Sequence, residues 1–220
     1  MRRLATLIVT LIGLAIAFPA FASPVLLISV DGLRPADVIE AEKRGLKIPN
    51  LRRFLTNGSY ATAVRGVLPS VTYPSHTTLL TGASPARHGI VSNTTFDPLQ
   101  INQSGWYWYA SDIRVPTLWQ AAKGAGLSVG NVHWPVSVGA AGIDWNLPQY
   151  WRTGHADDAK LLAELSTPGL LRELERMTGE SYAQGIDEEI GADEVRGRFA
   201  QALIRQHQPG FVTVYFTALD

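Results

Sequence analysis

The chain contains no cysteine. Disulfides and thiolate metal sites are therefore excluded, and any metal centre must be built from carboxylate, imidazole and hydroxyl groups. Charge of one sign is also missing. Nineteen basic side chains balance nineteen acidic ones in 220 residues, and no run of lysine or arginine occurs. That gives no electrostatic basis for binding a nucleic-acid duplex. The chain lacks a Gly-x-Ser-x-Gly elbow and a Gly-x-x-x-x-Gly-Lys loop, which argues against a lipase-type serine hydrolase and a P-loop nucleotide enzyme. No Cys/Ser-x-Pro-x-Arg sulfatase motif is present. Repeats, low-complexity tracts and flexible linkers are absent. What remains is 46% hydrophobic and 17% charged, enough apolar material for the core of one domain.

The N-terminus, "MRRLATLIVTLIGLAIAFPAFASP", joins Arg2 and Arg3 to an apolar stretch and then to Ala20-Phe21-Ala22. This reads as a secretory signal peptide over residues 1–22, cleaved after Ala22. Its removal takes two of the nineteen basic residues and leaves a net charge of −2. The expectation is an exported protein, periplasmic or secreted, without a membrane span after cleavage, whose catalytic-domain sequence occupies residues 23–220.

"PVLLISVDG" reads as a buried strand whose carboxyl end is Asp31, and "YATAVRGV" as a second strand. "LSVGNVHW" and "FVTVYFTALD" read as two more. Helices are expected at "PNLRRFLTNGS", "PSHTTLLTG", "PTLWQAAKGAG", "DDAKLLAEL" and "PGLLRELERM". A longer one is expected at "DEVRGRFAQALIRQHQPG", where Val195, Phe199 and Leu203 recur at steps of four. "GWYWYA" is an aromatic stretch suited to a hairpin or a pocket rim. Strands alternating with helices predict an α/β fold, a mainly parallel sheet with helices on both faces. Ligands in such folds bind beyond the carboxyl ends of the strands, where Asp31 and Asp220 fall.

Between these aspartates lies Thr72, in "LPSVTYPSHTTLLTG", just before an expected helix start. A threonine hydroxyl is a poor nucleophile until a base, a metal or a helix N-terminus activates it. Thr72 in this segment reads either as a helix cap or as a hydroxyl aimed at a phosphoryl group.

"LLISVDGLRPADV", "LPSVTYPSHTTLLTGASPARHGIVSNTTFDP", "VHWPVSVGAAGIDWNLPQYW" and "FVTVYFTALD" together resemble the type I phosphodiesterase/nucleotide pyrophosphatase family of the alkaline phosphatase superfamily. The resemblance implies an alkaline-phosphatase-like fold, two zinc ions and a covalent phospho-threonine intermediate. It implies Thr72 as nucleophile, Asp31 as ligand of the metal that activates it, and Asp220 as ligand of the second metal. It further implies Asn93 as donor to a non-bridging phosphoryl oxygen. Tyr73, the expected substrate-binding residue, and Trp106, Trp108 and Trp134 read either as rings that stack on a base or aryl leaving group or, equally well, as core packing. The substrate expected is a small phosphate ester or nucleotide. His76 and His88 read as structural, and His133, His155 and His207 share no ligand spacing. The family's histidine ligands follow its second aspartate, so the sequence reads as the N-terminal part of a catalytic domain, apparently truncated, with little or no activity of its own. The alternatives are a phosphomonoesterase or phosphonate hydrolase of the same superfamily, and a non-catalytic remnant.

Overall fold

The computed structural model describes residues 23–99, 105–150, 157–186 and 188–220. The signal-peptide expectation for residues 1–22 and His155 lie outside them. Four strands form one sheet: β1 (Val25–Val30), β2 (Val129–Val132), β3 (Trp145–Leu147) and β4 (Phe211–Phe216). Their order is β1-β4-β2-β3 and every pairing is parallel. β4 lies between β1 and β2, and Ser29 is paired with Tyr215 in register.

Alternation along β4 sorts its side chains between two cores. Val212 and Val214 pack with Leu162 of α6 (Asp158–Leu165), Leu170 and Leu174 of α7 (Leu170–Thr178), and Phe199 and Leu203 of α8 (Ile190–His207). Phe211 and Tyr215 point the other way, against Leu80 of α3 (Thr72–Thr81) and Trp119 of α5 (Leu118–Gly124). Helices therefore cover both faces, as expected. Three shorter helices, α1 (Pro35–Ile39), α2 (Pro49–Asn57) and α4 (Pro85–His88), complete the set among the described residues. Proline opens each of them, where its missing N–H costs nothing. α3 ends at Gly82, whose left-handed φ of 65° lets its N–H close on the Thr78 carbonyl. α5 starts with a capping box: Thr117 accepts from the Gln120 amide, and Gln120 accepts from that of Thr117.

Two expectations are corrected and a third is narrowed. Residues 60–67 form no strand: the segment has no ladder partner, and Val64 is 82% exposed. β1 is not buried; it is the edge of the described sheet, and Val25, Leu26 and Ile28 stay exposed. "GWYWYA" forms no regular hairpin, and at its end Ala110 lines a cavity with Ile113, Thr117 and Trp119. The stretch makes single bridges, Thr94 with Trp106 and Tyr109 with Val138, and its Trp108 belongs to a third core with Tyr73, Ile90, Val136 and Val138. β3 has only three residues and was not anticipated.

Three buried histidines, His76, His88 and His133, make stability depend on pH, each with a pKa lowered chiefly by burial. Burial lowers the pKa of His88, and burial followed by the Arg196 charge lowers that of His133 further. The unfolded chain, with histidine near 6.5, then binds more protons than the native state below that pH. Stability is expected to be full above about pH 6.5 and to fall as pH drops through that value. Urea midpoints at pH 7.5 and 5.5 check this. His133→Asn keeps a residue tolerant of the φ of 64° found there, and is expected to flatten the dependence.

Candidate active site

The carboxyl end of β1 and the start of α3 meet at the candidate site. The Asp31 amide donates to the Phe216 carbonyl at 2.9 Å, extending the β1–β4 ladder by one residue and fixing where the carboxylate emerges. Asp31 Oδ2 accepts two hydroxyls, Tyr215 Oη at 2.6 Å and Thr72 Oγ1 at 3.3 Å. Among the described residues Asp31 Oδ1 takes only the adjacent Gly32 amide, at 3.1 Å, and keeps acceptor capacity. Burial, then the hydrogen bond to Asp31 and its charge, raise the Tyr215 pKa far above that of a free phenol, so its hydroxyl stays a donor.

Thr72 is the first residue of α3, not its cap. Val71 occupies the cap position in extended conformation and makes no side-chain capping bond. This frees the Thr72 hydroxyl from a capping role and turns it to Asp31. Few amides remain free in the first turn. That of Tyr73 is taken by Asn93 Oδ1 at 2.9 Å, Pro74 has none, and that of Ser75 goes to the Val71 carbonyl. The Thr72 amide is left without a partner among the described residues. Because a backbone N–H can only donate, the bond to Tyr73 fixes the Asn93 amide orientation. The Asn93 NH₂ is then the end available to an anion.

His76 follows Thr72 by one helical turn and lies on the same face. Its Nδ1 meets the Thr72 carbonyl and its Nε2 meets Ser29 Oγ, each at 2.8 Å. Burial lowers its pKa and keeps the ring neutral. The carbonyl can only accept, so Nδ1 carries the proton and Nε2 accepts from Ser29. With both nitrogens occupied, His76 tethers α3 to β1, as its structural reading held. His88 is likewise structural, placed between Thr78 Oγ1 and the Ile90 amide.

The substrate-binding role expected of Tyr73 is corrected. Its side chain is fully buried, its hydroxyl meets Gln149 Oε1 at 2.8 Å, and its ring packs edge-on against Trp106 and Trp108. Successive helical residues diverge by about 100°, so a Thr72 that faces the site sends Tyr73 into the core. Trp134, fully buried, and Trp108 belong to the core too.

Asp220 follows β4 by four residues, in a turn closed by its amide on the Thr217 carbonyl at 3.0 Å. This turn lies against Gly32: a Cβ there would sit 2.0 Å from the Leu219 carbonyl oxygen, and the Gly32 φ is +67°. Glycine is thus required on two counts where the Asp31 and Asp220 loops cross. The charge of Asp220 reaches His76, Tyr215 and Glu188. Desolvation and then Asp220 push the Glu188 carboxyl up; Arg196 opposes them, and Asp31 adds a smaller upward push. Sequence reasoning missed Tyr215 and Glu188. Tyr215 had no local signal, since its partner lies 184 positions away.

No group of three or more histidines and carboxylates is arranged to hold a metal among the described residues. Asp31, Thr72 and Asp220 offer hard oxygen donors, which is a partial set.

The fold and the site define a class: a parallel α/β protein with a carboxylate–hydroxyl pair at the carboxyl ends of its strands, beside a helix start. The model of the type I phosphodiesterase/nucleotide pyrophosphatase family matches residues 25–220, and the chain belongs to that family. Human ectonucleotide pyrophosphatase/phosphodiesterase family member 1 is 32% identical over 123 residues, covering 52% of this chain and 12% of that protein. Venom phosphodiesterase 2 of Crotalus adamanteus is 33% identical over 122 residues, covering 52% of this chain and 14% of that protein. The phosphonoacetate hydrolase of Sinorhizobium meliloti, solved with phosphonoacetate, shares the fold with a TM-score of 0.60 at 23% identity. That match covers 90% of this chain and 47% of the solved one. The fold is alkaline-phosphatase-like, and the chain spans about half the length of that solved structure and less than a sixth of the curated relatives.

Proposed function

We propose that the protein hydrolyses phosphodiesters or nucleotide pyrophosphate bonds in a metal-dependent reaction with Thr72 as nucleophile. The observation that carries this reading is Thr72 Oγ1 at 3.3 Å from Asp31 Oδ2, at the first residue of α3, with Asn93 anchored to the next amide. Tyr215 and Ser29–His76 fix both partners, so the hydroxyl and carboxylate are oriented before substrate arrives.

The oxygen set fits a divalent cation in kind and falls short in number, and we assign Asp31 and Thr72 to one zinc ion and Asp220 to a second. The remaining donors come from outside this set. Zinc, when bound, supplies a Lewis acid that acidifies the hydroxyl and neutralises phosphoryl charge. The chain's own residues do the rest. Thr72 Oγ1 attacks phosphorus, its bond to phosphorus forms as the bond to the leaving oxygen breaks, and the hydroxyl proton leaves toward Asp31. The Thr72 N–H and the Asn93 NH₂ donate to non-bridging oxygens as their charge builds. The proton taken by Asp31 passes to the departed oxygen; water then attacks phosphorus as the phosphorus–Oγ1 bond breaks, and a water proton returns to Thr72 Oγ1. The leader sequence supports export to a periplasm or beyond.

The test compares an aryl phosphodiester with its monoester and with a phosphonate, with and without chelator, on the full-length protein. Diester turnover should exceed monoester turnover at least tenfold and vanish with chelation. Equal or greater monoester turnover would shift the assignment to a phosphomonoesterase, and chelator-insensitive turnover would remove the metal.

A further inference from the structure

We infer that Asp193 and Arg196, on the first turns of α8, are positioning residues that set Asp220 in place; this rests on the proposed metal role of Asp220. Hydrogen bonding between β4 and β1 ends one residue past the strand, at Phe216. The next two residues are held by a side chain instead. Asp193 Oδ1 accepts the Thr217 amide at 3.0 Å and Oδ2 accepts the Ala218 amide at 2.9 Å. Arg196 is fully buried. Its Nη1 donates to Asp193 Oδ1 and to Thr217 Oγ1, both at 2.6 Å, and its Nε donates to the Gly185 carbonyl at 2.8 Å. From this clamp the chain makes one turn, Asp220 N to Thr217 O, and Leu219 presses on Gly32 beside Asp31. The Asp220 backbone is thus tied on one side to α8 and held on the other against the Asp31 loop.

Burying a guanidinium is costly, and an apolar side chain would fill the same space without that cost. Here three of its hydrogen bonds go to Asp193, to Thr217 and to the Gly185 carbonyl. Two of those groups fix the residues that lead to Asp220. Outer groups that orient a metal ligand typically change metal affinity 10–100-fold when altered.

The test is zinc titration of the full-length protein against a competing chelator, with the thermal midpoint of the metal-free form read in parallel. Asp31→Asn and Asp220→Asn assign the two ions. Asp193→Asn keeps the shape but loses the charge that serves two amides and the guanidinium. It is expected to weaken the Asp220-dependent ion about tenfold or more and to leave the Asp31-dependent ion within about twofold. Thr217→Val, which removes one hydroxyl and keeps the shape, should act in the same direction and more weakly; it decides the matter if Asp193→Asn does not fold. A lowered thermal midpoint with both zinc affinities unchanged would reduce the pair to a stabilising contact and overturn the inference, leaving Asp220 as a ligand. If Asp220→Asn itself changes neither affinity, the metal role of Asp220 is wrong and the inference goes with it.

Discussion

Replacing Thr72 with alanine is expected to lower kcat for an aryl phosphodiester by about a thousandfold or more, the scale seen when a covalent nucleophile is removed. The fold should not notice. Thr72 is half-buried, it is not a helix cap, and alanine is a better helix former at the first position. The thermal midpoint should therefore stay within a few degrees, and KM should change little, because on the proposed reading the backbone amide of position 72 and the Asn93 NH₂ remain to receive the phosphoryl oxygens. Thr72→Ser, which retains the hydroxyl, should recover much of the lost rate. A rate loss that serine does not repair would mean that the methyl group, not the hydroxyl, matters.

Replacing Trp119 with alanine should cost about 3–5 kcal/mol of stability, the range for truncating a fully buried large aromatic. Trp119 is completely buried between α5 and the β4 face that carries Phe211 and Tyr215. Its Nε1 donates to Thr213 Oγ1 at 3.1 Å. Thr213 in turn donates to Asn131 Oδ1 at 2.7 Å, Asn131 donates to Asn146 Oδ1 at 2.8 Å, and Asn146 donates to the Ser137 carbonyl at 2.7 Å. Truncation leaves a cavity and removes the first donor of a buried polar chain, and the two effects add. Trp119→Phe keeps most of the volume and loses only the donor, so it should cost about 1–3 kcal/mol. Urea denaturation of the three proteins separates the two contributions. Near-equal losses for phenylalanine and alanine would assign the stability to the hydrogen bond instead of to packing.

Much of this was legible in the sequence because the relevant signals are local. Gly82 after α3, the break at Pro168-Gly169 and the four-residue spacing of Val195, Phe199 and Leu203 all report on backbone within a turn or two of themselves. The positions of Asp31 and Thr72 came from motifs, and the structure brings those two residues together. Relations between distant segments stayed hidden. Residues 60–67 have strand-forming composition, with Tyr60, Thr62, Val64 and Val67, yet no neighbour among the described residues offers them a ladder. β1 has the composition of a buried strand, but strand order makes it an edge. Tyr215 reads as one more apolar strand residue until β4 is set beside β1, which carries its hydroxyl to Asp31. The burial of Tyr73 is legible locally, since the helical angle between neighbours turns it away from any site that Thr72 faces. Arg196 looks like one of many surface cations on an amphipathic helix, and its burial follows from the 3₁₀ segment Tyr182–Ile186 packing over it.

The central claim is that Thr72 forms a covalent bond to phosphorus, and the most direct measurement is the mass of the peptide that contains it. The full-length protein is mixed with an aryl phosphodiester, quenched in acid within the first turnovers, digested and sequenced by mass spectrometry. A phosphoryl-ester adduct is expected on Thr72, absent without substrate and absent from Thr72→Ala. Turnover with no adduct at Thr72 under conditions that trap the first turnover, or an adduct on a different side chain, would contradict it.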